Sequence, residues 1–294
     1  MSGDLLLSGL ARDLRTDADG AAEPIGQAAL DVEIAFLSGR EVRAIRSDPA
    51  RPALQDLVGV KAASGFRGRV AAAVPGEVTD RSLLYQLLDD VPGASLIAGY
   101  AVGVAGRSNS LTLSGHRRRA NVCAGFQDGG TMMVEVERGG IVPTVTGPVA
   151  PELDPSDDPP GWHALPELAA LGMRRRRRLD VVPGELFGVH AWFRDTYRSA
   201  AGAETIIHEY EVDARVEPDT WRIVEIAATP RVLPWIECPQ AAASATRLVG
   251  ATLPDLRNDV RKEFRGTSTC THLNDQLRSL TDVLALAQAV RGPA

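Results

Sequence analysis

The sequence predicts an α+β fold, in which antiparallel strands are followed by helices that cover one face of the sheet. Three stretches of the second half alternate apolar and polar side chains as half-buried strands do, at residues 186–193, 205–216 and 221–227. Three helical stretches follow, at 239–248, 253–264 and 271–290. The last one carries leucines at helical spacing, so we expect that face to pack against the sheet.

The first half of the chain predicts a similar mixture of strands and helices. Residues 31–45 alternate around a short turn and predict a hairpin. A leucine stripe after Thr79 predicts a helix that ends at Pro92, and residues 131–137 predict a strand. Residues 1–28 are polar and rich in small side chains, so we expect a loosely ordered leader there.

Proline density suggests where the chain divides. Seven prolines lie between residues 143 and 166, which argues against a packed element in that stretch. The predicted division is a leader at 1–28, an N-terminal half at 29–142, a proline-rich linker at 143–172 and a C-terminal functional half at 173–294.

The two halves also share an order of short patterns. Each has a hairpin, then a Leu-Val-Gly segment, then an amphipathic helix with a Gln-Leu pair. The spacing from Gly59 to Gln86 is one position longer than the spacing from Gly250 to Gln276. We therefore predict two related, duplicated halves, of which the N-terminal copy keeps the fold and lacks the histidines and cysteines of the other.

Composition limits the classes of partner and compartment. The formal net charge of −6 does not favour nucleic-acid binding. No run of 18 apolar residues and no secretory signal is present, so we expect no membrane partner. Three cysteines in such a chain predict reduced thiols in the cytoplasm. The expected partner is a small-molecule substrate, and a homo-oligomer stays open.

Four side chains of the second half have the chemistry of a site: His208, Cys238, Cys270 and His272. The last two lie where a helix begins, and free N–H groups there favour a thiolate at Cys270. Two imidazoles with thiols form a legitimate zinc set, although their spacing matches no common finger. The same residues also suit a metal-free acid–base or nucleophilic site. A third interpretation is purely structural, with the cysteines buried in the core and the histidine capping the helix.

A second group of polar side chains lies near the end of the predicted strand at 186–193. Asp195 suits a general acid/base or a ligand, and Arg194 suits binding of a substrate carboxylate. Tyr197 follows in the same segment, and Tyr210 shares a strand face with His208, so both are candidate substrate contacts. The alternative is a charged turn. The arginine run at 174–178 suits phosphate binding or, more simply, a solvated face.

The motif Thr269-Cys270-Thr271-His272-Leu273 resembles the Gly-Cys-Thr-His-Leu signature of an uncharacterised bacterial family, a domain of unknown function. The resemblance covers about residues 173–290 and includes an arginine-rich strand start and a later Asp-Thr pair. This chain has threonine at position 269, where the family has glycine, and it carries an extra N-terminal half. The resemblance implies one site formed by five residues: Asp195, His208, Cys238, Cys270 and His272.

These observations predict an enzyme that acts on a small, largely apolar molecule by acid–base chemistry, without a nucleotide cofactor. The expected class is a lyase (hydratase, dehydratase or retro-aldol) or an isomerase, with a role in small-molecule catabolism. His208 and His272 would carry protons and Asp195 would orient them. Cys238 and Cys270 would line the pocket or supply a thiolate. The alternatives are a zinc-dependent hydrolase that uses His208, Cys238, Cys270 and His272 as ligands, and a non-enzymatic ligand-binding or scaffold protein.

Overall fold

The computed structural model describes residues 4–105, 120–139, 144–153 and 159–291. The chain forms two compact units. The first comprises Met1–Ala98, Glu152–Pro166 and Gln288–Ala294, and the second comprises Gly99–Pro151 and Glu167–Ala287. Both contain an antiparallel sheet and helices, which confirms the α+β prediction.

The first unit is built on a three-stranded sheet in the order β1-β2-β3. Its strands are β1 (Leu5–Thr16), β2 (Ala22–Ala35) and β3 (Glu41–Asp48). A 3-10 helix at Pro52–Leu57 and three α-helices follow: α1 (Phe66–Ala73), α2 (Pro75–Asp80) and α3 (Leu83–Val104). Apolar side chains of the sheet and of these helices form one buried cluster.

The expectation of a loosely ordered leader at residues 1–28 is wrong for most of its length. Leu5 and Leu7 point inward and pack on the core of the first unit, while Leu6 and Ser8 point outward. Each of these residues pairs with β2. The strand is hard to recognise from its sequence, because Leu6 and Leu10 place apolar side chains at outward positions and Gly9 has no side chain at an inward one.

Helix α3 passes through Pro92, where the sequence predicted its end. Ser82 rather than Thr79 caps it, since the Ser82 hydroxyl accepts a hydrogen bond from the backbone N–H of Tyr85 at 3.1 Å. Side chains on both sides of the proline, including Val91 and Ile97, are buried. Their burial outweighs the single backbone hydrogen bond that proline removes.

By length and mean hydropathy, 1.2 over an 18-residue window, α3 also meets the criteria for a membrane-spanning helix. Core helices of water-soluble proteins meet the same criteria. In this helix Asp89 is buried and forms an ion pair with Arg67 at 3.0 Å, and its neighbour Leu88 belongs to the core of the first unit.

The second unit contains a four-stranded meander in the order β4-β5-β6-β7. Its strands are β4 (Met173–Val182), β5 (Phe187–Arg198), β6 (Glu204–Val216) and β7 (Ile223–Val232). The later elements are 3-10 helices at Cys238–Leu248 and Leu280–Asp282 and the helices α5 (Leu256–Glu263), α6 (Thr271–Ser279) and α7 (Val283–Arg291). One face of the meander and these elements share a single apolar cluster.

Residues 131–137, predicted as a strand, belong instead to helix α4 (Thr131–Gly139). Met132, Met133 and Val136 are all buried, at a spacing that suits one helical face better than one strand face. The carboxylate of Glu237 accepts hydrogen bonds from the backbone N–H and the hydroxyl of Thr131, both at 2.6 Å. This distant acidic side chain caps the helix, so the local sequence did not reveal it.

The two Leu-Val-Gly segments have the same local geometry. In each, the glycine has a positive φ, 83° at Gly59 and 89° at Gly250. Its N–H donates at 2.8 Å to a carbonyl near the start of the preceding strand, Val42 in one unit and Ile223 in the other. The same strand residue donates at 2.9 Å to the residue after the glycine. This likeness is local, so the duplication and the predicted domain limits stay predictions.

Candidate functional site

The site is built around Asp195, which is fully buried in β5 on the face of the sheet that carries the core. Strands β4 and β5 pair antiparallel and place Arg175 directly opposite Asp195. The guanidinium donates two hydrogen bonds to the carboxylate, from Nε at 2.7 Å and from the second terminal nitrogen at 2.9 Å. Burial would raise the pKa of Asp195, but Arg175 and His208 together hold this pKa well below its ordinary value.

A β-bulge lies next to His208 in β6. The register between β5 and β6 shifts between Asp195 and Thr196, so that Ile207 is an extra residue and His208 lies opposite Asp195. His208 continues the alternation of Tyr210 and Val212 on the core face, while residues 204–206 pair one position out of step beyond the bulge. Nδ1 of His208 lies 3.4 Å from the Asp195 carboxylate, slightly longer than a closed hydrogen bond.

His272 reaches the same point from the first turn of α6. Its imidazole stacks on that of His208, with ring centroids 3.7 Å apart and an angle of 22° between the ring planes. The other neighbour is Cys270, whose Sγ lies 3.9 Å from Nδ1 of His272. Burial lowers the pKa of His272 well below its ordinary value, and the neighbouring His208 and Arg175 lower it further. His272 is therefore neutral at neutral pH.

The three cysteines are free and buried. Burial raises the pKa of Cys270 to about 11 and that of Cys238 to about 12. The backbone N–H groups at the start of α6 oppose this rise at Cys270 but do not outweigh it. The expected thiolate at the helix start is therefore absent at neutral pH, because desolvation is larger than the effect of the helix terminus.

Tyr210 lies between the histidines and the cysteines in β6. Its ring is fully buried and lies 5.9 Å from the ring of Phe193. Burial and the neighbouring thiols, Cys270 first among them, raise the pKa of Tyr210. The structure thus brings Tyr210 into contact with the predicted site, but as part of its buried wall.

Within the described residues, one group of side chains has the arrangement that a metal ion needs. Asp195, His208 and His272 each offer a ligand atom within 4.8 Å of the other two, and the group includes neither Cys238 nor Cys270. A zinc ion would lie near the plane of each imidazole, about 2.0–2.1 Å from its nitrogen. The two rings are stacked with 22° between their planes, so their in-plane lone pairs do not point at one nearby position. The rings would have to turn before both could bind one ion.

The prediction that Arg194 belongs with Asp195 is wrong. Side chains alternate along β5, so Arg194 lies on the opposite face of the sheet from Asp195. It forms a two-point ion pair with Glu209, with both N–O distances at 2.9 Å, and both side chains are 8% exposed. Its guanidinium also lies 5.0 Å from the ring of Trp192. Arg194, Glu209 and Trp192 therefore form a buried cluster on the face of the sheet opposite Asp195.

Tyr197 shares the face of Asp195, two residues further along β5. It is buried and makes an edge-to-face contact with Tyr100, with ring centroids 5.1 Å apart. His190 is 43% exposed and pairs with Asp213 at 2.8 Å. It lines a shallow groove of about 710 Å³ on the outer face of the sheet.

Sequence reasoning missed Arg175 as a site residue, because it lies in a run of five arginines. The strand alternation could have separated them: odd positions of β4 face the core and even positions face outward. Arg177 also faces inward and donates to the side chain of Gln276 in α6 at 3.2 Å. The core-facing arginines thus connect β4 to the carboxylate and to the site helix.

Searches of curated proteins and of solved structures found no match to the chain. A family profile matches the second half, within the stretch where the sequence resembled an uncharacterised family. The matched residues contain Asp195, His208, Cys238, Cys270 and His272. Residues 173–286 of the chain match the family described as Protein of unknown function (DUF2889), which confirms the resemblance to a domain of unknown function.

Proposed function

We propose that Asp195, His208 and His272 form the catalytic centre of an enzyme that transfers protons on a small, largely apolar molecule. The reaction class is that of an isomerase or a lyase, and no nucleotide cofactor takes part. The observation that carries this proposal is the pair of stacked imidazoles whose Nδ1 atoms lie beside opposite kinds of partner.

The partners give the two imidazoles different roles. The ionised carboxylate of Asp195 can only accept, so it favours the form of His208 that carries its proton on Nδ1. Nε2 of His208 is then a base. The Cys270 thiol, protonated because burial raises its pKa to about 11, can donate to Nδ1 of His272. Nε2 of His272 then carries a proton and is a hydrogen-bond donor.

A base beside a neutral donor suits removal of a proton next to a carbonyl group. Nε2 of His208 would take the proton from carbon, and the electron pair of the broken C–H bond would move onto the carbonyl oxygen. The N–H of His272 would stabilise that developing charge. Return of the proton to another carbon gives an isomerase, and departure of a β-substituent gives a lyase.

The surroundings support a substrate with an apolar body. Tyr210, Phe193 and Cys270 belong to the apolar cluster of this unit, and the buried Cys238 lies near Tyr210 and Cys270. The charge of Arg175 is engaged by Asp195, so its first role is to hold that carboxylate. These features favour a neutral carbonyl compound over a strongly charged one.

The test is exchange of carbon-bound hydrogen with solvent. A panel of small apolar ketones, enones and β-hydroxy carbonyl compounds is incubated with the protein in D2O, and deuterium incorporation is followed by NMR. We expect exchange with the native chain and its loss in His208→Gln and Asp195→Asn. His190→Gln is the matched control, because His190 is also paired with an aspartate in the same sheet. Equal exchange in all variants contradicts the proposal.

A metal-dependent hydrolase is the second candidate, favoured by the 4.8 Å grouping of ligand atoms. Asp195, His208 and His272 would hold the ion, and the ion would supply activated water. Both rings would turn, and Arg175 would compete with the ion for the carboxylate. Elemental analysis of the purified chain separates the candidates: stoichiometric zinc that is lost in His272→Ala favours the hydrolase.

A structural role for the histidines is the remaining alternative. His272→Ala separates it from catalysis, because a catalytic His272 can be removed without loss of the fold. A variant that unfolds, as judged by circular dichroism, would favour a scaffold or ligand-binding protein.

A further inference from the structure

Beyond the end of β7, a different segment of the chain pairs with the edge of β6. This edge segment comprises residues 144–151, which the sequence placed in a proline-rich linker. Val149 pairs with Thr205, while Thr205 also pairs with Tyr197 of β5 on its other side. The edge segment therefore covers β6 on the edge away from β5, immediately before the bulge that contains Ile207.

Three hydrogen bonds attach the edge segment. Backbone N–H of Ile206 donates to the carbonyl of Pro148 at 2.9 Å, and N–H of Ala150 donates to the carbonyl of Glu204 at 2.9 Å. The Tyr100 hydroxyl donates to the carbonyl of Val145 at 2.9 Å. A fourth contact comes from the far face of the sheet, where Arg194 donates to the carbonyl of Pro151 at 3.0 Å.

The closest approach is at Gly147. A Cβ added there would lie 1.8 Å from the carbonyl oxygen of Ile206 and 3.0 Å from its carbonyl carbon. Both are backbone atoms, so no side-chain rotation can relieve the clash. Any larger residue at position 147 must move the edge segment or the strand at the residue just before the bulge.

We propose that the edge segment fixes the bulge and thereby positions His208, with Gly147 as its positioning residue. If the bulge moved by one residue, Ile207 would lie opposite Asp195 and His208 would become the extra, unpaired residue. The hydrogen bond from Ile206 to Pro148 holds the strand one residue before the extra Ile207. This inference rests on the proposed catalytic role of His208, and its test does not require turnover.

The experiment compares the imidazole 15N and 13C signals of His208, assigned with His208→Gln, in the native chain and in Gly147→Ala. We expect the His208 signals to shift in Gly147→Ala while circular dichroism shows an intact fold. Val149→Ala is the matched control, because that side chain lies on the same segment and is 72% exposed. It should leave the signals unchanged.

If Gly147→Ala does not fold, Tyr100→Phe provides a milder change, because it removes only the hydroxyl that holds Val145. We expect a smaller shift of the same His208 signals. The inference is overturned if Gly147→Ala folds and its His208 signals are unchanged. If Gly147→Ala does not fold, unchanged His208 signals in Tyr100→Phe overturn it. Failure of the proposed function would instead appear as absent deuterium exchange with these signals still sensitive to position 147.

Discussion

His208 and His272 stack with their ring centroids 3.7 Å apart, yet the Nδ1 atom of each ring lies beside a different group. One faces the buried carboxylate of Asp195 at 3.4 Å and the other faces the thiol of Cys270 at 3.9 Å. If both rings had the same kind of partner, both would favour a proton on the same nitrogen. Because their partners differ, one imidazole can serve as a base and the other as a hydrogen-bond donor.

Asp195→Asn should destabilise the chain strongly. The substitution removes a buried charge and leaves the Arg175 guanidinium, 8% exposed, without its bidentate partner, while Asp275 lies at 4.0 Å. Breaking a buried pair on one side costs about 3–5 kcal/mol. Urea unfolding at pH 7 measures the loss. A loss below about 1 kcal/mol, the range of exposed pairs, would show that the pair is well solvated.

The contribution of Arg175 to stability should depend on pH. In the folded chain the pKa of Asp195 is depressed, so its ion pair stabilises the fold above the ordinary carboxyl pKa and loses effect as the pH falls below about 4. In Arg175→Gln, burial raises the pKa of the carboxyl and His208 remains to oppose that rise. The difference in unfolding free energy between native chain and variant should be largest near pH 7 and should shrink by pH 3. A difference that does not change with pH would contradict this assignment.

His272 should make the fold less stable in acid. Its pKa is lowered in the folded state, so the unfolded chain binds more protons at this position below about pH 6.5. Stability should therefore fall as the pH drops from 7 to 5. His272→Gln should reduce that slope, and His190→Gln should not. The measurement is the urea midpoint at each pH, and equal slopes in both variants would contradict the burial of His272.

The cysteines should be unreactive in the folded chain. Burial raises the pKa of Cys270 to about 11 and that of Cys238 to about 12, so few thiolates exist at pH 8. Iodoacetamide should label them slowly in the native state, and all three should react after unfolding. Rapid native labelling of Cys270, located by mass spectrometry, would instead support a nucleophilic role for this thiol.

The sequence predicted three of the four strands of the meander, because they alternate clearly, but it did not predict the arginine-rich β4 as a strand. It also grouped Asp195, His208, Cys270 and His272, through their types and through the family resemblance. The structure brings these four together. Cys238 also lies nearby, since its thiol raises the pKa of the adjacent Tyr210, but it offers no ligand atom to the histidine–aspartate group.

What the sequence missed depends on pairing between distant segments. The site role of Arg175 follows from the β4–β5 register, and the contact of His208 with Asp195 follows from the β5–β6 register. Alternation along β6 placed His208 on the face of Tyr210, but it could not show that Asp195 lies opposite His208. The misplacement of Arg194 has a simpler cause: it neighbours Asp195 in sequence, and neighbours in a strand face opposite ways.

The central claim is that the two stacked imidazoles hold opposite neutral forms. The direct measurement is the 15N spectrum of the histidine side chains at pH 7.5, with His208→Gln and His272→Gln for assignment. We predict that His208 carries its proton on Nδ1 and that His272 carries its proton on Nε2. The same form in both rings, or a charged His272 at this pH, would contradict the account.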